Sequence, residues 1–207
     1  MPQAAARTAV LVEGVSDQCA VETLARRRGL DLDAAGIEVV AIGGAQAIRT
    51  SLERFGPNGL DLRLAGLCDA GEEAYVRRAL EQAGLGSDLT RSDMEALGFF
   101  VCVADLEDEL IRVLGPARVE EIVESEGELG AFRTLQKQPE WRERDTHDQL
   151  RRFMGSGGSR KIRYASLLVD ALDLAHVPRP LDGLVSRVGA PGRQRAETRR
   201  AGSSSDR

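Results

Sequence analysis

Short apolar runs alternate with amphipathic stretches over the first half of the chain. The runs cover residues 8–12, 37–42, 62–68 and 99–103. Apolar positions with helical spacing follow the first three runs, over about residues 15–28, 45–54 and 72–83. Mostly apolar strands that alternate with helices predict an α/β fold, with a parallel sheet covered by helices on both faces.

The second half has the spacing of helices only. The pattern predicts five of them, over about residues 106–114, 117–125, 129–137, 145–154 and 161–175, with a glycine- and serine-rich hinge at 155–159. From Ser186 onwards the chain is polar, rich in arginine and without hydrophobic spacing. We therefore expect an α/β core over residues 1–115, a helical extension over 116–185 that completes the site, and a disordered tail over 186–207.

Composition narrows the class of protein. The chain has 207 residues, 42% of them hydrophobic, and a net charge of −5, which excludes a wholly disordered protein. No run approaches the ~18 apolar residues of a membrane span, and the first run is too short for a signal peptide. Three widely separated cysteines favour neither a disulfide framework nor a zinc cluster. We expect a cytoplasmic protein that does not enter a membrane.

Acidic residues follow three of the four predicted strands. They are Glu13 and Asp17 after the first, Asp69, Glu72 and Glu73 after the third, and Asp105, Glu107 and Asp108 after the fourth. The carboxyl ends of parallel strands meet at one edge of a sheet, where ligands bind. Crowded carboxylates repel one another, and hard cations such as Mg²⁺ or Mn²⁺ neutralise them. This pattern predicts a site for one divalent metal ion, or for two about 4 Å apart.

The same residue types also cap helices. Asp17, Glu72, Asp105 and Glu107 stand where a helix begins, and there a carboxylate binds free N–H groups and complements the helix dipole. Glu13 and Asp69 fit capping less well, because each ends an apolar strand and is followed closely by glycine. Spacing alone does not separate a metal site from helix capping.

The order of these motifs and their strand context resemble the Toprim domain. This is the catalytic fold of type IA and type II topoisomerases, of bacterial primases and of the OLD (overcoming lysogenization defect) nucleases. The segments LVEGVSD, LCDAGEE and LEDEL, with SRKIRYASLL further on, are most similar to the OLD type over about residues 7–175. The resemblance implies a Rossmann-like sheet, Mg²⁺ or Mn²⁺ as cofactor, and an endonuclease that hydrolyses the phosphodiester bonds of DNA.

The resemblance also implies roles for individual residues. Glu13 matches the Toprim glutamate, a metal ligand or general acid/base, and Asp17 matches a second ligand. Asp69 matches the first aspartate of the DxD motif, and Glu107 the acidic residue after the fourth strand. Lys161 matches the lysine that stabilises charge on the phosphate in the transition state. The catalytic residues implied are therefore Glu13, Asp69 and Lys161.

The sequence departs from the family pattern in two ways. Position 71 is glycine where the DxD motif has its second aspartate, so Glu72 or Glu73 would have to replace it as a metal ligand. OLD nucleases also carry an ATPase domain ahead of the Toprim domain, and this sequence has no G-x-x-x-x-G-K-[ST] motif. We therefore expect a stand-alone Toprim domain, with any ATPase supplied by a separate subunit.

Several functions and partners stay open. The main alternative to a DNA endonuclease is a non-catalytic Toprim-fold module that binds metal or nucleotide and acts with a separate ATPase. A third hypothesis keeps the enzyme but has RNA or a small phosphoester as substrate. Arg151, Arg152, Arg160 and Arg163 cluster around the hinge, and we expect Arg160 and Arg163 to contact nucleic-acid phosphates, unless these are simply solvated helix faces. A homodimer is compatible with the sequence.

Overall fold

The computed structural model describes residues 6–190, and its centre is a sheet of four parallel strands. The strands are Thr8–Val12 (β1), Ile37–Ala41 (β2), Arg63–Asp69 (β3) and Phe99–Cys102 (β4), in the spatial order β2-β1-β3-β4. Val10 pairs with Val39 of β2 and with Ala65 of β3, and Asp69 pairs with Cys102 of β4. The predicted parallel sheet is confirmed, and its central strands β1 and β3 are those that lead into Glu13 and Asp69.

Ten α-helices surround the sheet within the described residues. They are Val15–Arg27 (α1), Ile48–Phe55 (α2), Glu73–Gln82 (α3), Arg91–Leu97 (α4), Leu106–Leu114 (α5), Pro116–Ser125 (α6), Leu129–Gln136 (α7), Thr146–Gly155 (α8), Gly158–Ala171 (α9) and Arg179–Gly189 (α10). Eight of them match predicted helices to within a few residues. The sequence analysis missed α4, which is only seven residues long and begins with a capping box between Thr90 and Asp93, and it missed α10.

Alternate residues of β1 enter two separate hydrophobic cores. Val10 and Val12 pack on one face with α1, α5, α9 and α10, whereas Ala9 and Leu11 pack on the other with α2, α3 and α4. This alternation follows from the two-residue period of a strand, which sends successive side chains to opposite faces. Since helices cover both faces, the part of the chain that the structure describes leaves the edges of the sheet accessible to ligands.

The helical extension shares the first of these cores. Phe132 of α7 and Tyr164 of α9 are fully buried in the same cluster as Val10 of the sheet. The division after residue 115 therefore stays a prediction, since no separate core marks it. No helix within residues 6–190 is long and apolar enough to cross a membrane.

The start of the predicted disordered tail at Ser186 is wrong for its first residues, because α10 continues to Gly189. Val188 in the last turn is buried in the core, and Arg187 donates to the carbonyl oxygen of Ala96 at 2.8 Å. The apolar positions of α10 do have helical spacing, but Pro180 and Gly183 obscure it. Proline is tolerated there because it lies in the first turn. The rest of the predicted tail, residues 191–207, lies outside the described residues.

Candidate active site

Glu13 lies on the tight connection from β1 to α1, and Asp17 lies in the first turn of α1. The backbone N–H of Gly14 donates to Asp17 Oδ2 at 3.0 Å, so Asp17 does cap the helix, as the capping alternative proposed. Its pKa is nevertheless raised. Burial is the largest cause, and the negative charges of Glu13 and Asp105 add to it against the opposing effects of Gly14 N–H and Lys161. Asp17 therefore caps the helix and belongs to the acidic cluster as well.

Asp69 ends β3 among other acids. Burial raises its pKa to about 7, and Asp105, Glu13, Asp17 and Glu72 add to the shift through charge repulsion. An aspartate that keeps its proton near neutral pH indicates a site with too little positive charge nearby. A bound cation would supply that charge.

Glu72, one turn after β3, faces Glu13. Its pKa is raised by burial and by the negative charge of Glu13, with Asp17 adding to the shift. Its Oε2 is buried without a hydrogen-bond partner among residues 6–190. An unpartnered buried carboxylate oxygen suits a metal ligand.

The structure separates the two candidates for the missing second aspartate. Glu73 points to α4, where it forms an ion pair with Arg91, and its carboxylate also lies 3.9 Å from Arg77. Glu72 instead joins the acids of the sheet edge. Gly71 itself is exposed, and a Cβ atom built there would meet no atom within 4 Å. Of the two glutamates, Glu72 is therefore the one placed to take over the aspartate's role.

Glu107 and Lys161 bring an ion pair with a buried carboxylate to the same edge. Glu107 in the first turn of α5 is 5% exposed, and Lys161 Nζ of α9 lies 3.4 Å from its Oε2. Burial raises the pKa of Glu107 to about 7 despite Lys161, with Asp105 and Asp17 adding to the shift. Burial lowers the pKa of Lys161, but the charges of Glu107 and Asp17 outweigh it, and the net shift is upward. Lys161 is therefore a stable cation beside the acids.

Asp105 belongs to this cluster, whereas the sequence left it open between an acid of the sheet edge and a helix cap, and the family resemblance gave it no role. It caps α5, since Oδ1 accepts from the N–H of Asp108 at 2.8 Å, and its Oδ2 accepts from Arg151 Nε at 2.8 Å. Its charge also raises the pKa values of Asp17, Asp69 and Glu107. The sequence feature that indicates this position is that Asp105 follows the apolar run of β4, just as Glu13 follows the apolar run of β1.

The residues present fit a hard divalent cation. Six carboxylates from three strand ends meet at one edge, namely Glu13, Asp17, Asp69, Glu72, Asp105 and Glu107, and oxygen ligands are those that Mg²⁺ and Mn²⁺ prefer. Within the described residues, no three of these carboxylates have ligand oxygens that all lie within 4.8 Å of one another. A cation that keeps several waters and takes only one or two carboxylates directly suits this wider spacing.

A compact group of possible ligands lies instead at the start of α8. Ligand atoms of Asp145, His147 and Asp148 all lie within 4.8 Å of one another. Asp145 caps α8 through the N–H of Asp148 at 2.8 Å, and His147 Nε2 lies 3.4 Å from Asp108. These contacts account for the positions of all three side chains without an ion.

The two arginines expected to bind nucleic acid share one glutamate. Arg160 Nη2 lies 3.2 Å from Glu128 Oε1, and Arg163 Nη2 lies 2.7 Å from Glu128 Oε2. The hydroxyl of Tyr164 also donates to Glu128 at 2.9 Å, and the Arg160 guanidinium packs 4.3 Å from the ring centroid of Phe153. Arg160 and Arg163 therefore bind α9 to the start of α7, and their charge is largely compensated within the protein.

Comparison with known proteins agrees with this geometry. Residues 6–70 match the model of the overcoming lysogenization defect protein-like family, TOPRIM domain. The fold is similar to the C-terminal region of the Burkholderia pseudomallei OLD protein (TM-score 0.67, 20% identity, 89% of this chain and 97% of that chain). It is also similar to that of the Xanthomonas campestris pv. campestris OLD protein (TM-score 0.68, 22% identity, 89% and 92%). No curated protein matches the chain.

The matched residues include Glu13, Asp17 and Asp69, and the structural similarity covers 89% of the chain. The expected Toprim fold is thus confirmed. Residues 6–70 match the model of the OLD-like TOPRIM domain, and the chain has the fold of OLD C-terminal regions.

Proposed function

We propose that this chain is a divalent-metal-dependent endonuclease that hydrolyses phosphodiester bonds in DNA. The observation that carries the proposal is the charge imbalance at the sheet edge. Asp69 and Glu107 both have a pKa of about 7, although one is exposed in part and the other already has Lys161 beside it. These carboxyl groups keep protons because too little positive charge lies near them. Such a site favours the binding of cations and of the phosphate groups that cations bind.

The metal would be held by the carboxylates of the sheet edge, namely Glu13, Asp17, Asp69, Glu72 and Glu107, with Asp105 beside them. When bound, Mg²⁺ or Mn²⁺ supplies Lewis-acid stabilisation of charge on the phosphate oxygens and lowers the pKa of the attacking water. Both ions bind oxygen donors of this kind.

The chain's own residues supply the other parts of the reaction. Lys161 is a cation held in place by Glu107, so its ammonium group can stabilise negative charge as it builds on the phosphate, without reorganisation of the site. Glu13 lies beside Glu72 at the sheet edge and is the candidate for the general acid/base that acts on the attacking water or the leaving oxygen. The proposed catalytic residues are thus Glu13, Asp69 and Lys161.

Gly71 favours one alternative, a non-catalytic module with the same fold. Loss of the second DxD aspartate would weaken the hold on a second cation. The position of Glu72 against Glu13 argues for replacement of that ligand and therefore for an active enzyme.

Cleavage of supercoiled plasmid by the purified chain in Mg²⁺ or Mn²⁺ tests the proposal. We expect nicking or linearisation that Glu13→Gln and Asp69→Asn abolish. The matched control is Glu53→Gln, an exposed glutamate of α2 paired with Arg49, which should cleave like the wild type. No cleavage in either metal would support the non-catalytic module. A parallel panel of RNA and small phosphodiesters identifies the substrate class.

A further inference from the structure

Arg151 differs from the other arginines near the hinge because its partner is an acid of the candidate active site. Its Nε donates to Oδ2 of Asp105 at 2.8 Å, and its Nη2 lies 2.5 Å from the same oxygen. Arg160 and Arg163 bind Glu128 instead, and Arg152 packs over the ring of Trp141, 5.8 Å from its centroid. Of these four arginines, Arg151 is the one in contact with the sheet-edge acids.

Much of the Arg151 guanidinium remains available to a ligand. The group carries five N–H donors in a planar fork. Asp105 Oδ2 contacts Nε and Nη2, and Arg151 has no other hydrogen-bond acceptor within residues 6–190. The side chain is 41% exposed, so the remaining donors face solvent.

Asp105 fixes where those donors point. Its Oδ1 is held by the N–H of Asp108 at 2.8 Å, so the carboxylate cannot turn freely, and Arg151 is oriented with it. Asp105 lies two residues before Glu107 and three residues after Cys102, the strand residue that pairs with Asp69. A ligand on Arg151 would therefore lie at the rim of the proposed reaction centre.

An oriented guanidinium beside a cation-binding acidic cluster matches one chemical class, the phosphate diester. Arginine binds phosphate through paired N–H groups, and Asp105 pre-orients the fork for such contacts. We propose, on the basis of the function proposed above, that Arg151 binds a DNA backbone phosphate next to the one that is cleaved, with Asp105 as its positioning residue.

The test is the salt dependence of DNA binding. Fluorescence anisotropy with a labelled duplex in Ca²⁺ buffer, over a series of KCl concentrations, gives the slope of log affinity against log salt, and a gel confirms that the DNA stays intact. Each phosphate contact adds about one to that slope. We expect Arg151→Ala to lower the slope by about one and the affinity roughly tenfold, as for a lost charged hydrogen bond.

Two further variants make the result specific. Arg118→Ala removes an exposed arginine of α6 that also has a single carboxylate partner, Glu121 at 2.6 Å, and it should leave the slope unchanged. Arg151→Lys keeps the charge and should keep the slope, with weaker binding, because an ammonium group cannot form the fork. Melting curves show that each variant is folded.

Three outcomes separate the hypotheses. If the wild type binds and cleaves DNA while Arg151→Ala keeps the wild-type slope, the role of Arg151 is wrong and the proposed function stands. An equal change of slope in Arg118→Ala also contradicts the role, since the effect would then be general. If the wild type neither binds nor cleaves DNA, the proposed function and this inference both fail.

Discussion

Lys161 Nζ lies 3.4 Å from Glu107 Oε2, and this pair joins α9 of the helical extension to α5 at the edge of the sheet. Glu107 is almost fully buried, whereas 40% of the Lys161 side chain is exposed. The carboxylate is thus the fixed partner, and the ammonium group is the one that faces an incoming ligand. Lys161 has a raised pKa and keeps its charge over the pH range in which a nuclease works.

Lys161→Met should therefore impair turnover more than metal binding. Loss of one oriented group that stabilises transition-state charge costs about 100-fold in kcat or more. The affinity for Mn²⁺, measured by calorimetry without DNA, should change little, because the remaining carboxylates supply the ligands. Lys137→Met removes the other lysine of the chain, exposed after α7, and should behave like the wild type. An equal loss of kcat in both variants would contradict the role of Lys161.

Asp69→Asn should reduce the pH dependence of stability in the metal-free protein. The folded-state pKa of Asp69 is about 7, well above the usual ~3.9 of an unfolded chain. The folded state therefore binds an extra proton between about pH 4 and pH 7, and its stability falls as the pH rises through that window. Asparagine does not titrate. The decrease in the free energy of unfolding should therefore be smaller in the variant by about 2 kcal/mol, a value that allows for screening by solvent.

Urea unfolding in EDTA at pH 5 and pH 8 measures this difference directly. The free energy of unfolding of the wild type should drop more between the two pH values than that of Asp69→Asn. Glu107 also titrates near pH 7 and affects both proteins alike, so the comparison isolates Asp69. Parallel changes in the two proteins would mean that the pKa of Asp69 is not raised in the folded state.

The sequence sufficed for the sheet and for most of its acidic edge, because both are local patterns. An apolar run predicts a strand, and the residue after it in a parallel sheet must lie at the ligand-binding edge, which placed Glu13 and Asp69. Ion pairs between distant segments leave no such pattern. Asp105 and Arg151 are 46 positions apart, and Glu128 lies 32 positions from Arg160. The contact of Arg151 with Asp105 and the compensation of Arg160 by Glu128 become visible only in the folded chain.

Divalent cations should stabilise the folded protein through the sheet-edge acids. A ligand at 100 times its dissociation constant adds about 2.7 kcal/mol to the free energy of unfolding. We therefore expect Mg²⁺ or Mn²⁺ to raise the melting temperature at pH 8, and Glu13→Gln to remove most of that rise. Asp148→Asn alters the compact group at the start of α8 and serves as the discriminating variant. If Asp148→Asn removes the rise while Glu13→Gln does not, the metal binds at α8 instead.

Gly71→Asp should restore the second aspartate of the DxD motif without disturbing the fold. A Cβ at this position meets no atom within 4 Å, and its φ angle lies outside the left-handed region that favours glycine. The added carboxylate increases repulsion with Asp69 in the metal-free protein, so the melting temperature in EDTA at pH 8 should fall. The same charge should tighten Mg²⁺ binding several-fold, since a third acid joins Asp69 and Glu72 at this turn.

Gly71→Asn has nearly the same shape as Gly71→Asp but no charge, and it separates the two effects. Calorimetric titration with Mg²⁺ at pH 8 should show tighter binding for the aspartate variant alone. Plasmid cleavage at limiting Mg²⁺ should likewise increase for Gly71→Asp and not for Gly71→Asn. If aspartate and asparagine give equal Mg²⁺ affinities, the side chain at position 71 does not reach the cation, and Glu72 by itself fulfils the role of the second aspartate.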